Sequence, residues 1–377
     1  MKTILYVHDL HFYESNGFVY TSSNFPELYF SRFLEAGDIN LKIYSRIVKV
    51  ENKDQIPEGY ERINNQRITV INECGSTYLK TFFRAVACYR SIKSSDMIVA
   101  NIPSILGAFV LLINLKSKLR YCVEVAADYD QFSSKRGGFL VSFFMKYFMK
   151  YFIRRAQGAA YVSNHLKEKF PCNRRTIISS NVNINEVVSG PYIEPEGQDI
   201  NISFVGGLNE RKGLATLIES IGFIKNNTNY NIKLNVIGGH ADRNWDSIIR
   251  HKNLENNIIL HGLLSTKEVI SILDRSDLYV QPSITEGIPR ATIEAMSRGL
   301  PVVATSIPGF QEILDKDVLV KPQDSSDLAR KIIKMLVNKN ELRLNSTRNK
   351  MKAKMFLYEN LHKIRTEHYK NIFRELF

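Results

Sequence analysis

The sequence of 377 residues has little cysteine, one tryptophan and no long uninterrupted apolar run. Its four cysteines, Cys74, Cys88, Cys122 and Cys172, are too widely spaced for a close-pair metal motif or a small disulfide-stapled domain. They are typical of buried or incidental thiols in a reducing compartment. The longest apolar stretch, 102–115, is interrupted by polar residues and is shorter than the ~20 residues that span a bilayer, which favours a buried helix.

Targeting and metal-binding patterns are also lacking. The first ten residues have neither the basic start nor the apolar core of a signal peptide, so we expect a cytoplasmic protein. The eight histidines include no pair with the i, i+4 spacing of a metal-binding helix. We therefore expect no metal and no other cofactor.

Acidic residues are fewer than basic ones, with 38 Asp and Glu against 51 Lys and Arg, which gives a net charge of +13. Such an excess suggests a nucleic acid, an anionic membrane or a phosphorylated substrate as partner. No aromatic-interleaved RNA motif or basic recognition helix accompanies the charge, so nucleic acid is not expected.

Short apolar runs alternate with helical stretches, which is typical of an α/β protein with a mostly parallel, doubly wound sheet. The pattern stops at 189–199, a segment with two prolines, two glycines and two glutamates, and then starts again. We predict two Rossmann-like domains, 1–190 and 191–355, facing across a cleft where nucleotides bind. A final helix at 356–377 is expected to pack back toward the first domain.

The strand candidates are distributed over both domains. Those of the first are 2–8, 41–47, 97–100, 121–126, 158–162 and 176–179, and those of the second are 201–205, 233–237, 258–260, 278–281, 301–304 and 318–320.

The segment 202–213 contains the first chemical signal, a strand followed by Gly206, Gly207 and the basic pair Arg211 and Lys212 at a helix start. Glycines let a ligand approach the backbone closely, and helix N–H groups with two cations suit a diphosphate. A tight turn followed by two solvated cations is the alternative interpretation.

The segment 277–301 contains a strand, a loop through Gly287 and a helix. Glu286 precedes the helix, and Glu294 lies eight positions later, close to the helix face of Arg290. A carboxylate is a bidentate acceptor, which suits Glu294 to the diol of a ribose and Glu286 to sugar hydroxyls. In the alternative interpretation Glu286 is a helix-start acid and Glu294 a surface charge, although apolar neighbours of Glu294 indicate a half-buried helix.

With these segments the chain resembles the retaining glycosyltransferases of family 4, which have the two-domain GT-B fold. The likeness extends over the C-terminal domain. It rests on Phe204–Leu208, Arg211–Gly213, Val236–Gly239, Ile259–Gly262, the helix with Glu286 and Glu294, Gly299–Thr305, Pro308, Gly309 and Glu312.

The resemblance implies transfer of a sugar from a nucleotide-sugar donor with retention at the anomeric carbon, with 1–190 as the acceptor-binding domain and 191–355 as the donor-binding domain. We expect the donor to be a UDP-sugar and the acceptor a hydroxyl of a lipid-linked or cell-surface glycan. The departing phosphate oxygen would take the proton of the incoming hydroxyl on the same face, without protein nucleophile or metal. A nucleotide-sugar 2-epimerase of the same fold, or a non-catalytic sugar-nucleotide-binding subunit, stays open as an alternative.

The same resemblance assigns Lys212 and Arg211 to the donor diphosphate, Glu286 to the donor sugar and Glu294 to the ribose. Many family members have an arginine where this chain has Gly207, so phosphate neutralisation would depend more on the two cations. The other donor-binding candidates are Gly206, Gly207, Gly287, Ile288, Pro289, Arg290, Leu264 beside the base, and Gly17 in a flexible loop after the first strand.

On the acceptor side, many relatives have a histidine at the end of the strand that reaches Ala127 in this chain. With alanine there, Asp128 and Tyr129 are the residues expected to line the transfer site. A helix cap is the alternative interpretation of Asp128.

The segment 135–155 has six cations, no acids and many aromatic side chains. This composition is typical of a helix that lies on an anionic membrane, here the inner face of the cytoplasmic membrane. The alternative is a core helix with its cations on the solvent side. Residues 80–175 contain 17 Lys and Arg against 5 Asp and Glu, so nearly all of the charge excess lies around this segment.

Overall fold

The computed structural model describes residues 1–22, 25–71, 85–129 and 138–376 and divides the chain into two compact units. The first unit comprises Met1–Asn181 and His362–Phe377, and the second comprises Val182–Leu361. The division thus lies between Asn181 and Val182, whereas the sequence pattern places it after residue 190. Each unit is a Rossmann-like α/β domain with a mainly parallel sheet, which confirms the predicted fold class.

The described part of the first unit contains nine strands. They are β1 Lys2–Ser15, β2 Phe18–Ser22, β3 Ile39–Lys49, β4 Tyr60–Arg62, β5 Ile68–Ile71, β6 Met97–Ile102, β7 Tyr121–Val125, β8 Gly158–Tyr161 and β9 Arg175–Ile178. The helices are α1 Glu27–Ala36, α2 Ala85–Lys93, α3 Ile105–Ser117, α4 Gly138–Arg155 and α5 Asn164–Lys169.

The parallel part of this sheet has the order β5-β3-β1-β6-β7-β8-β9. Two antiparallel strands, β2 and β4, are added beside the end of β1. β1 is longer than the predicted 2–8 and turns back into β2 through Asn16 and Gly17, which have φ angles of 51° and 77°. Two positive φ angles are what a two-residue hairpin turn of this type requires. Gly17 therefore lies in a tight hairpin turn, and the expected flexible loop after a short first strand is wrong.

The second unit contains a six-stranded, wholly parallel sheet of order β12-β11-β10-β13-β14-β15. The strands are β10 Asp199–Val205, β11 Asn231–Ile237, β12 Ile258–Gly262, β13 Leu278–Gln281, β14 Val302–Thr305 and β15 Leu319–Val320. The helices are α6 Leu214–Asn227, α7 Trp245–His251, α8 Thr266–Leu273, α9 Arg290–Ser297, α10 Pro308–Gln311, α11 Ser325–Val337 and α12 Lys339–Ala353.

The strand order of the second unit reverses between β10 and β13. In doubly wound sheets, ligands bind outside the carboxyl ends of the strands at such a switch point. The core around it is fully buried, with Ile202, Phe204 and Val280 all inaccessible to solvent. Sheets covered on both faces have strands that are continuous apolar runs, which is why these strands are visible in the sequence.

The last helix, α13 Tyr358–Leu376, begins in the second unit and ends in the first. Within the first unit, the Tyr369 hydroxyl donates to Glu124 at 2.8 Å. The Arg32 guanidinium donates to both oxygens of the same carboxylate, at 2.8 and 3.1 Å. Burial by itself raises the pKa of Glu124, but Arg32, Arg365 and these hydrogen bonds lower it to about 2. The last helix is therefore joined to strand β7 by a buried hydrogen bond to the carboxylate that Arg32 of α1 also pairs with.

No helix within the described residues is long and apolar enough to cross a membrane.

Candidate active site

The first part of the site is the turn that follows β10. A one-turn 3₁₀ helix, Glu210–Lys212, is capped by Asn209, whose side chain accepts from the Lys212 backbone N–H at 3.3 Å. Gly213 follows with a φ of 74°, and a Cβ there would lie 1.9 Å from the Pro282 carbonyl oxygen. Glycine at 213 therefore lets the basic turn pack directly against the loop after β13.

The two segments meet through backbone and side chains. The Ile284 N–H donates to the Arg211 carbonyl at 2.8 Å, and the Arg211 guanidinium donates to the Thr285 carbonyl at 2.9 Å. The Lys212 ammonium lies 2.5 Å from one oxygen of Glu286, and Arg211 lies 3.5 Å from the other. The structure thus brings together the three predicted catalytic residues.

The cations differ in exposure. The side chains of Glu286 and Lys212 are 8% and 18% exposed, whereas that of Arg211 is 50% exposed. The carboxylate therefore holds a partly buried ammonium in place while the guanidinium faces solvent. The cluster contains two cationic side chains and one carboxylate, and such an excess of cationic groups favours an anionic ligand.

A chain of polar side chains lies behind Glu286 and is absent from the predicted set. The Tyr279 hydroxyl donates to Gln281 at 2.5 Å, the Gln281 amide donates to Ser283 at 3.1 Å, and the Ser283 hydroxyl donates to Glu286 at 2.8 Å. Tyr279 and Gln281 belong to β13 and are buried. These residues orient the carboxylate, and their signal in the sequence is a polar group at every second position of the strand end.

The loop after Glu286 leads into helix α9. Gly287 is exposed, Ile288 is half-buried and Pro289 is buried, where it precedes the first helical residue, Arg290. Pro289 supplies no side-chain cap to the helix. The first N–H groups of a helix carry partial positive charge and bind anions.

Glu294 and Arg290 line a cavity of about 480 Å³ within the second unit, together with Leu264 and Val205. Burial raises the pKa of the Glu294 carboxyl, and the nearby Arg290 partly opposes this shift. The Glu294 side chain is thus set into a pocket rather than on the surface, as the apolar neighbours in the sequence predict. A carboxylate in a pocket of this size can accept hydrogen bonds from a diol.

The remaining glycines of the predicted donor set lie at the end of β10. A Cβ on Gly206 would lie 3.5 Å from the Lys212 side chain, and one on Gly207 would lie 2.8 Å from the Asn209 side chain. Only at Gly207 would the added atom force a neighbour to shift, since 3.5 Å at Gly206 is an ordinary van der Waals contact.

The acceptor-side candidates belong to the first unit, after β7. The Asp128 carboxylate is paired with the Lys169 ammonium, which also lies 4.6 Å from the centroid of the Tyr129 ring. Asp128 accepts from the Tyr129 backbone N–H at 2.7 Å. Their role toward an acceptor stays a prediction, as does the role of Gly17 toward a donor.

Across residues 1–22, 25–71, 85–129 and 138–376, no group of three or more His, Cys, Asp or Glu side chains is arranged to hold a metal ion.

Comparison with known proteins decides the family. The family model of glycosyl transferases group 1 matches residues 193–354. Protein CapJ of Staphylococcus aureus is 30% identical over 369 residues, which cover 95% of this chain and 92% of CapJ. The chain belongs to the glycosyl transferases group 1 family.

The matched region of this glycosyltransferase includes the basic turn, Glu286 and Glu294, so the candidate site lies wholly in the part that defines the family. A more distant relative is the N,N'-diacetylbacillosaminyl-diphospho-undecaprenol alpha-1,3-N-acetylgalactosaminyltransferase of Campylobacter jejuni. It is 27% identical over 155 residues, which cover 40% of this chain and 39% of that protein.

Among solved structures, Anabaena Alr3699/HepE in complex with UDP superposes with a TM-score of 0.65 at 14% identity, covering 97% of this chain and 99% of the other. This similarity shows the fold, and the glycosyltransferase has the GT-B fold.

Proposed function

We propose that this glycosyltransferase transfers a sugar from a UDP-sugar to a hydroxyl of a lipid-linked or cell-surface glycan, with retention at the anomeric carbon. The observation that carries the proposal is the cluster of Lys212, Arg211 and Glu286 beside the uncapped start of helix α9. UDP is the nucleotide in the HepE complex, and the Campylobacter relative is named for a diphospho-undecaprenol acceptor.

The donor would bind with its nucleoside in the 480 Å³ cavity and its diphosphate toward the cations. Glu294 would accept hydrogen bonds from the ribose hydroxyls, and Leu264 would contact the base. Arg290 lines the cavity and is also the first residue of α9, so in this binding mode it would lie where nucleoside and diphosphate join. Sugar hydroxyls would reach Glu286 across the exposed backbone of Gly287.

In the reaction, the bond between the anomeric carbon and the phosphate oxygen breaks, and its electron pair stays on the diphosphate. Lys212 and Arg211 stabilise that charge more in the transition state than in the bound donor. The departing oxygen accepts the proton of the acceptor hydroxyl, whose oxygen bonds to the same face of the sugar. In this scheme the two cations supply the charge, and a metal ion is not needed.

We place the enzyme at the inner face of the cytoplasmic membrane, where lipid-linked acceptors occur, with 135–155 as its contact. Residues 135–137 of that segment lie outside the described residues; the rest forms helix α4.

The test measures nucleoside diphosphate release from UDP-, GDP- and ADP-sugars by the wild type, Lys212→Ala and Glu286→Ala. Lys233→Ala, on the exposed side of β11, is the matched control. Loss of one electrostatic group costs roughly 100-fold or more in rate, so we expect both site variants to fall that far and the control to match the wild type. Equal rates in all four proteins would overturn the site.

Two further measurements address the finer parts of the proposal. NMR of the product should show the donor's anomeric configuration, and an inverted product would overturn retention. Activity should be unchanged by a chelator, and a loss restored by added metal would overturn the metal-independent scheme.

A further inference from the structure

Helix α4, Gly138–Arg155, has an aromatic face that is open to solvent. Five large apolar or aromatic side chains on it are between 43% and 79% exposed. They are Leu140, Phe143, Phe144, Tyr147 and Tyr151, and we call them the aromatic face. Soluble proteins rarely expose contiguous patches of such residues without a binding role.

The arrangement of these residues is regular. At about 100° per residue, all five fall within an arc of about 100° and extend over about 16 Å of helix. The opposite side of the helix is buried in the core of the first unit through Met145, Phe148, Met149, Phe152 and Ile153. Because that other side already anchors the helix, the aromatic face is not needed for the fold.

Cations border the aromatic face on both sides. Lys146 and Lys150 lie along one edge, Arg155 lies along the other, and Arg154 lies between them one turn further on. The helix contains no acidic residue. The Arg155 guanidinium lies 3.8 Å from the centroid of the Tyr151 ring, so charge and aromatic surface are contiguous.

We infer that the aromatic face inserts into the interfacial region of an anionic bilayer while these four cations bind lipid phosphates. The inference deepens the membrane contact of the proposed function and rests on it for the acceptor. Charge complementarity decides the occupant, because an all-cationic border suits a surface of uniform negative charge. Aromatic rings prefer the headgroup level, and the apolar stems of lysine and arginine let their charges stay at the phosphates.

The position of the helix links this surface to the acceptor end of the first unit. The Lys146 ammonium lies 5.9 Å from the centroid of Tyr129, which follows β7. A bilayer contacted by the aromatic face would therefore lie next to Asp128 and Tyr129. An acceptor anchored by its lipid would reach these residues without leaving the membrane.

The experiment is flotation of the full chain with vesicles of phosphatidylcholine alone or phosphatidylcholine with phosphatidylglycerol, at low and high salt. The test variant is Phe144→Ser with Tyr147→Ser. The matched control is Leu344→Ser with Met351→Ser, two apolar residues of α12 that are 55% and 65% exposed.

We expect the wild type and the control to float with the anionic vesicles. The test variant should bind these vesicles at least about tenfold more weakly. Salt should weaken wild-type binding but not abolish it, since insertion does not depend on charge. Failure of the wild type to bind, equal binding by the test variant, or complete loss at high salt would each overturn insertion.

UDP-induced thermal stabilisation of the same proteins separates the two proposals. The test variant should keep the wild-type shift, which shows that it is folded and that the donor site is intact. In a different outcome, the wild type sediments as a dimer, the test variant sediments as a monomer, and both bind vesicles equally well. The aromatic face would then join two copies of the chain, and the bilayer inference would be wrong.

Discussion

Replacing Gly309 with alanine tests the loop geometry that holds the Glu286 carboxylate. Gly309 is the second residue of helix α10, Pro308–Gln311. A Cβ at 309 would lie 2.0 Å from the Gly287 carbonyl oxygen and 2.9 Å from the Glu286 carbonyl oxygen. Because both atoms are backbone and ordinary contact begins at 3.4 Å, the loop has to retreat as a whole by about 1.4 Å.

The expected cost follows from that displacement. Overpacking of this kind lowers the free energy of unfolding by about 1–3 kcal/mol. Alanine inside a helix is more stabilising than glycine by up to about 1 kcal/mol, which partly offsets that loss. We expect the free energy of unfolding to fall by about 1–2 kcal/mol. Activity should suffer more, because a displacement of about 1 Å in a positioned group can reduce the rate about 100-fold.

The assay combines urea unfolding with nucleoside diphosphate release. Gly222→Ala is the control, because its Cβ in helix α6 meets only the Leu254 side chain at 3.7 Å. The free energy of unfolding of this control should rise by up to about 1 kcal/mol, and its activity should stay at the wild-type level. Gly287→Ala adds a methyl group with no neighbour within 4 Å, so it should unfold like the wild type. Wild-type turnover in Gly309→Ala would refute the requirement for this loop position.

Three other perturbations have defined outcomes. Lys212→Met removes the closest partner of Glu286, and we expect the free energy of unfolding to fall by about 1–3 kcal/mol. A second change, Glu286→Gln, should partly restore it. If the effects of the two changes simply add in urea unfolding, the coupling is contradicted. Arg32→Met leaves Glu124 buried without its ion pair and should cost about 3–5 kcal/mol in urea unfolding, whereas wild-type stability would show that the pair is dispensable. Burial lowers the pKa of His368 to about 4 from 6.5, so the unfolded chain takes up a proton first as the pH falls. The free energy of unfolding should drop by about 3 kcal/mol between those pH values, and His368→Leu should flatten that part of the thermal-unfolding profile; an unchanged slope would contradict it.

The strands of the second unit could be predicted to within two residues, as with 278–281 for Leu278–Gln281. Their apolar runs reflect burial on both faces, which leaves a local signal in the sequence. The missed strands β2, β4 and β5 have three to five residues and are partly exposed. Strands β2 and β4 form because β1 extends beyond the sheet core and supplies an edge, whereas β5 forms by parallel pairing with β3, and both are tertiary effects. The Asn16-Gly17 pair was the available hairpin signal.

The charged side chains divide in the same way. Arg211, Lys212 and Glu286 could be predicted because each belongs to a local strand-loop-helix motif. The buried pair of Arg32 and Glu124 could not, because the partners are 92 positions apart and each looks like an ordinary charged residue in its own segment. Pairing across such a distance is determined by the sheet order, and no local pattern records it.

The two units share the order of their central parallel strands, yet the helix starts at their switch points differ in the charges beside them. In the first, the pairing of β1 with β3 shifts register between Val7 and His11, and Asp9 lies in that irregularity. Its carboxylate accepts from the N–H groups of Ile105 and Leu106, at 2.9 and 3.4 Å, at the start of helix α3. The positive helix end at that switch point is thus already neutralised by the chain itself.

In the second unit the corresponding position has the opposite character. Helix α9 begins without a side-chain cap, and Arg211 and Lys212 add positive charge beside the loop that leads into it. The switch point of the first unit thus holds a carboxylate that also lies 3.6 Å from the Arg46 guanidinium, whereas that of the second holds two cations beside an uncapped helix start. Under the proposed function this difference favours donor binding at the second unit, because opposite charges attract over this range.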